Sequence, residues 1–407
     1  MGRLRSNVPF VRLFLGRFVT NAADSLYFIG AMWLVYELTG SSLYTGIAGA
    51  SVQLSSSVQF LYGPLVDRWD PRRVLVGTQV VQAVVVLAIP VAAVFDHLSV
   101  WVVLLVLPVL SFVNEIVYPL QAAVLPRIVD DQLVRANSLF STAYRGTEIA
   151  FSAAGGLLIA FLGAITVFLV DAAAFFVAAV LFVGITIPEG DDADGDEDDG
   201  YLANLREGFS YIRGSIVLAM MAGATVVNVG SGAMTAVLPA FADGMGGADT
   251  YGLLLAALAA GPLTGAAASS LIEDRAYGLV STAGFVTAGL SLAAGLTVAG
   301  PIPTATLFFV SYVPIGAFNV MFSSIIQSSV DEAFLGRVSS VTSSLSTAML
   351  PVGTILGGAL AEQFSPRAVM YGTATLMILF GGYFLVHPGI RSLPSVSEAD
   401  EAVLGLG

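Results

Sequence analysis

Twelve long apolar blocks dominate this chain and leave it little choice of fold. They run over 13–36, 42–66, 74–94, 100–125, 137–161, 164–187, 215–241, 250–272, 278–299, 303–328, 338–361 and 367–386. A helix rising 1.5 Å per residue needs about 20 residues to cross roughly 30 Å of hydrocarbon, and nearly every block meets that length. No water is available there to satisfy the backbone, so such blocks must be helices. A barrel strand would alternate apolar and polar residues, and these runs do not. Hydrophobic residues make up 56% of the chain and charged ones 11%, too little charge to cover a soluble surface. The expected class is therefore an all-α integral membrane protein of twelve transmembrane helices.

All sixteen basic residues are arginine, and their placement orients the bundle. Arg3 and Arg5 precede span 1, and Arg68, Arg72 and Arg73 follow span 2. Arg127 and Arg135 separate spans 4 and 5, and Arg206 and Arg213 precede span 7. Arg275, Arg337 and Arg391 continue on the same side, while the opposite loops hold only Arg367. The positive-inside rule then puts both termini in the cytoplasm of a multi-pass cell-membrane protein, which agrees with an even span count. The start, with Arg3, Arg5, Arg12 and Arg17, is too interrupted for a cleaved signal peptide, so span 1 is expected to act as its own insertion signal.

The chain divides in the middle. Residues 188–200, PEGDDADGDEDDG, carry eight acids in thirteen positions, a self-repelling run expected to be a linker. Its acids lack the spacing and central glycine of a calcium loop. The following YLANLREGFSYIRG has the pattern of an amphipathic surface helix. Arg135 leads to Gly155-Gly156 as Arg337 leads to Gly357-Gly358, so spans 5 and 11 correspond at an offset of 202 residues. A second echo pairs Tyr44-Thr45-Gly46-Ile47 with Thr250-Tyr251-Gly252-Leu253. The expected organisation is an N-terminal six-helix half over 1–187, the linker over 188–200, a second six-helix half over 201–390 opened by the amphipathic helix, and a tail over 391–407. Two halves in parallel order are a transporter pattern.

Several function classes are disfavoured by what the chain lacks. It has no cysteine, and its two histidines, His97 and His387, sit at block edges, so neither a nucleophile with its base nor a metal cluster forms at one depth. No GxxxxGK loop is present, so ATP-driven pumping is not expected, nor is any cofactor. A net charge of −13 argues against a nucleic-acid partner.

The segment GPLVDRWDPRRV, from Gly63 to Val74, resembles the signature loop between spans 2 and 3 of the major facilitator superfamily. That family usually has glycine and a basic residue where this chain has Asp70 and Pro71. The opening FLGRFVTNAADSLYFIGAMWLVYELTGSSLYTG, the stretch LPRIVDDQLVRANSL and the stretch DEAFLGRVSS resemble, in order, its exporter branch containing the enterobactin and macrolide efflux proteins. The resemblance implies the major facilitator fold, alternating access and a monomer in the lipid bilayer. It also implies a cytoplasmic gate in which Gly63 permits close helix approach and Asp67 meets the N-terminus of span 11 near Arg337. Arg68, Arg72 and Arg73 belong to the same loop, and would serve equally as topology anchors. The second-half counterpart keeps only Glu273-Asp274-Arg275. Proton antiporters of the superfamily often carry Gly-Pro before the span 5 double glycine and an arginine in span 4. Here those places hold Phe151-Ser152 and Asn114-Glu115, so the coupling ion is open between a proton and sodium.

Small residues recur every four positions at Ser152, Gly156 and Ala160, at Gly261, Gly265 and Ser269, and at Gly353, Gly357 and Ala361, faces suited to close helix contact. Charge within the hydrocarbon costs a few kcal/mol per group and marks a pathway or an internal lock. Asp24, Glu115, Arg145 and Glu148 are expected as one cluster, either a relay for the coupling ion or a self-satisfied network. Asp171 reads as structural. The second half offers Asn228 and Asn319 on an otherwise apolar wall, with interhelical hydrogen bonding as the alternative role. The combined reading is export of a small amphiphilic compound, drug-like or siderophore-like. Import of a metabolite and a non-transporting receptor are the alternatives.

Overall fold

Local signals set the helix starts. The computed structural model describes residues 2–57, 69–129, 132–188, 201–398 and 401–405. Asn7 caps Val8–Thr39 (α1), its side chain accepting from the Phe10 N–H at 3.1 Å, and Gly40 ends that helix in the left-handed conformation at φ 63°. Asp70 caps Pro71–Val94 (α3), Ser215 caps Ile216–Asp243 (α7) and Ser365 caps Pro366–Val386 (α12) in the same way. Pro71 and Pro366 sit in the first turn, where a missing N–H costs nothing. The Asp70-Pro71 departure from the family loop is thus a helix start.

The remaining helices are Ser42–Ser57 (α2), Val100–Ile128 (α4), Leu133–Leu162 (α5), Ala164–Val183 (α6), Ala248–Ala268 (α8), Tyr277–Gly295 (α9), Pro301–Ser329 (α10) and Glu332–Gln363 (α11). Eleven helices among the described residues are long and apolar enough to cross a membrane. The twelfth block is α2, described over Ser42–Ser57; its far end, with Gly63, Asp67 and Arg68, lies outside the described residues, as does the acidic run from 189 to 200. Helices α1, α5 and α11 start several residues before their apolar blocks do, so each continues past the edge of its apolar block. Two helices break beside a proline. A turn at Leu87 precedes Pro90 in α3, and one at Ile116 precedes Pro119 in α4. A proline ring has no N–H for the carbonyl four residues earlier and collides with it.

Two compact units form, one of 1–195 with 246–252 and one of 196–245 with 253–407. In the first, α1 packs on α5 and α6, α6 on α3, and α4 on α2 and α3. In the second, α7 packs on α11 and α12, α12 on α9, and α9 on α10. The pairings repeat six helices on, as a duplicated half requires. The repeat reaches single positions: Gly155 of α5 lies against Leu26 and Ile29 of α1, and Gly357 of α11 lies against Ala233 of α7.

The small-residue faces are where backbones meet. A Cβ on Gly353 would overlap the Val229 carbonyl, one on Gly357 the Ala233 backbone, and one on Gly232 the Leu350 carbonyl, so α7 and α11 interlock from both sides. Gly265 against Val313 and Gly316 against Pro262 do the same for α8 and α10. In the first unit, Arg12 of α1 and Arg72 of α3 both donate to the end of α6, at the carbonyls of Gly184 and Val183, which have no helical partner. Asn7 donates to the Ile128 carbonyl at 2.6 Å, joining the start of α1 to the end of α4.

Gly353→Leu should destabilise the protein by about 1–3 kcal/mol or prevent folding, because a backbone neighbour cannot rotate away. Gly372→Ala, where nothing lies within 4 Å, should leave the thermal unfolding midpoint in detergent unchanged or slightly raised.

Candidate functional site

Helix α1 presents Arg17, Asn21 and Asp24 at positions i, i+4 and i+7, one above another on a single face. Arg17 is 1% exposed. Its Nε donates to Gln121 Oε1 at 2.7 Å, its Nη1 to Thr20 Oγ1 at 3.4 Å, and its guanidinium lies over the Tyr118 ring at 4.9 Å. Both Asp24 carboxylate oxygens are buried and complete no hydrogen bond among the described residues. Arg17, Asn114 and Glu115 are the neighbours whose charge and dipoles act on Asp24. Glu115 accepts from the Ser56 hydroxyl of α2 at 2.5 Å. It stands at the α4 break, where Pro119 denies the Glu115 carbonyl its usual donor. Sequence reasoning took Arg17 only as one of the arginines that interrupt the start of the chain; the structure makes it the centre of the buried polar group. The i+4 and i+7 spacing to Asn21 and Asp24 was the signal available.

The four expected charges divide into two groups. Asp24 and Glu115 gather with Arg17, whereas Arg145 Nη1 pairs with Glu148 Oε2 at 3.4 Å on α5, with side chains 59% and 43% exposed. A chain of ring contacts links the groups: Arg17 over Tyr118, Tyr118 edge-on to Tyr144 at 6.3 Å, and Arg145 over Tyr144 at 5.7 Å. Arg17, Tyr118, Tyr144 and Arg145 line one cavity of about 270 Å³. Asp171 of α6 is fully buried, and its two carboxylate oxygens also have no hydrogen-bond partner among the described residues.

In the second unit, Asn228 of α7 and Asn319 of α10 line a cavity of about 440 Å³. The Asn228 amide donates to the Ser346 carbonyl at 3.1 Å, so one of its groups is occupied by an interhelical bond. Phe318 is the hub of the aromatic side, stacked on Phe322 at 5.7 Å and edge-on to Phe285 at 5.1 Å. Opposite chemistry comes from Gln327 and from hydroxyls of α11 such as Thr342 and Ser343, with no charged residue in the lining. The expectation of an apolar wall is corrected here: the wall is uncharged but well supplied with amides and hydroxyls. The serines and threonines of α11 hid this, because small polar residues in a membrane helix read first as packing.

Of the six residues expected in the gate, Gly63, Asp67 and Arg68 lie outside the described residues. Arg72 caps α6, and Arg73 pairs with Asp70 at 3.7 Å on the surface. Arg337 pairs with Glu207 at 3.2 Å. Glu207 belongs to the helix Tyr201–Ile212, which is fastened to the start of α11 by that pair, by Tyr211 stacked on Phe334 at 4.5 Å, and by Gly208 against the Arg337 carbonyl.

A family model of the Major Facilitator Superfamily matches residues 13–354. The chain belongs to that superfamily. It is a multi-span membrane transporter with the twelve-helix major facilitator fold, and efflux proteins are among the relatives it resembles in sequence. It is 26% identical over 405 residues to the multidrug efflux pump Tap of Mycolicibacterium fortuitum, covering 96% of this chain and 98% of the relative. It is 24% identical over 386 residues to macrolide efflux protein A of Streptococcus pyogenes, covering 91% and 94%. In fold it is similar to the crystal structure of the nucleoside transporter NupG, with a TM-score of 0.74 at 11% identity over 93% of this chain and 99% of that one.

Arg17→Ala should cost about 2–3 kcal/mol in thermal unfolding, since it strips a charged donor from the half-buried Gln121 amide and uncovers Tyr118. Arg145→Gln should cost less than about 1 kcal/mol, as expected for a solvent-screened pair.

Proposed function

We propose that this major facilitator exports a small amphiphilic organic compound by alternating access, driven by a proton or sodium gradient, with both termini in the cytoplasm. The observation that carries the reading is the second-unit cavity. Its phenylalanine side suits an apolar body, its Asn228, Asn319 and Gln327 side suits ester, hydroxyl and amide groups, and nothing in the lining demands a fixed charge. That is the chemistry of a drug-like solute, and the two efflux relatives named above span more than nine-tenths of this chain. The arginine distribution supports the orientation. The proposed ion site is the Asp24 and Glu115 pair, two carboxylates on different helices beside a proline break that lets α4 change its course.

The amides also suit a polyol, so a metabolite importer is the second reading. The direction test is susceptibility. In a host stripped of its own pumps, the chain should raise resistance to a lipophilic antibiotic without a basic amine and lower accumulation of an apolar dye; a raised accumulation would favour import. Asn319→Leu should weaken resistance roughly threefold to tenfold, the effect of losing one buried hydrogen bond to the solute. In inside-out vesicles, Asp24→Asn and Glu115→Gln should flatten the response of solute uptake to an imposed pH or sodium gradient. An unchanged response in both would make the pair a structural lock.

A further inference from the structure

Resting on the reading that an organic solute is moved, we propose that the first-unit cavity is an oxyanion site, built to take the carboxylate or phosphate group of that solute. The argument begins with Arg17. A guanidinium taken out of water needs a counter-charge or a full set of acceptors. Among the described residues the ion pairs are Arg73–Asp70, Arg145–Glu148 and Arg337–Glu207, and Arg17 is in none of them. Its bonds to Gln121 and Thr20 use Nε and Nη1, and the third nitrogen of the fork, Nη2, has no partner among the described residues. Asp24 and Glu115 act on it only from beyond ion-pair distance, and neither lines the cavity.

The rest of the lining has the same bias. Arg145 adds a second guanidinium, Tyr118 and Tyr144 add phenol hydroxyls, and Asn21 and Asn137 add amides, with no acid among the lining residues. Arg145 is held by Glu148 through a half-exposed pair that a stronger acceptor can displace at little cost. The cavity runs from the buried Arg17 to the exposed Arg145 and Asn137, so a ligand need not open the core to arrive. A planar fork with an unused edge, flanked by hydroxyl donors and an aromatic face, recognises a carboxylate or phosphate through charge-assisted bonds. An ammonium ligand would meet two like charges there.

The test uses the full chain in detergent and reads affinity from ligand-dependent thermal stabilisation. The probes are 4-phenylbutyrate, its methyl ester and inorganic phosphate. The acid is expected to bind about tenfold tighter than the ester, the worth of one charge-assisted hydrogen bond. Arg17→Gln should bring that ratio close to one, with a cooperative unfolding transition in the absence of ligand showing that the variant is folded. Arg145→Gln should reduce the ratio in part and gives a second reading if Arg17→Gln does not fold. Equal affinity for acid and ester, or a ratio untouched by both variants, overturns the proposal. Arg17-dependent stabilisation by phosphate, with no gain from the organic acid, assigns the site to a free inorganic anion and overturns the solute reading of it. If ester and acid both fail to bind, the amphiphile reading fails too; if the ester alone binds, only the oxyanion site fails.

Discussion

Inside a bilayer, burying an apolar side chain against another helix gains little over burying it in lipid, so close packing must hold the bundle together. This chain solves the problem with glycine. At Gly232, Gly353 and Gly357, and again at Gly265 and Gly316, one helix backbone rests on another with no side chain between them. The polar contacts between α7 and α11 depend on that closeness. Asn228 reaches the Ser346 carbonyl because α7 and α11 touch along this seam, and the hydroxyls of α11 line a cavity because their helix stands so near α7.

The first unit adds a second kind of fastening. Its polar core is organised around a guanidinium, which Asp24 and Glu115 accompany without forming an ion pair with it among the described residues. Arg17 is anchored by an amide and a tyrosine face, contacts that hold it in place without consuming its charge. The two units therefore offer a solute different chemistry, one charged and donor-rich, the other uncharged, aromatic and amide-lined.

How much of this the sequence discloses depends on how local each cause is. Span number, helix class and the starts at Asp70-Pro71 and Ser365-Pro366 are readable because hydropathy, caps and proline act within a few residues. The 202-residue offset is readable too, since Gly155 and Gly357 hold equivalent places in duplicated halves. Asn228 and Asn319 are singled out by their rarity in apolar spans, and they do meet at one cavity. Arg17 escapes notice because it reads as one more arginine interrupting the start of the chain; only the fold shows which face of α1 is turned inward. The division of the four charges is likewise unreadable, because two residues at one depth on different helices can share a cavity or miss each other by a rotation of either helix.

The end of α6 is held from outside its own helix. Arg12 and Arg72 arrive from two other helices and fill the terminal carbonyls of the same turn. Three helix ends are thereby clasped at one point, each arginine replacing a backbone donor that the helix could not supply for itself. A tripod braced at its apex moves as a whole, so α1, α3 and α6 cannot shear past one another at this end without giving up the arginine donors that fill these carbonyls. The clasp leaves α4 outside it, the helix whose ladder Pro119 interrupts beside Glu115.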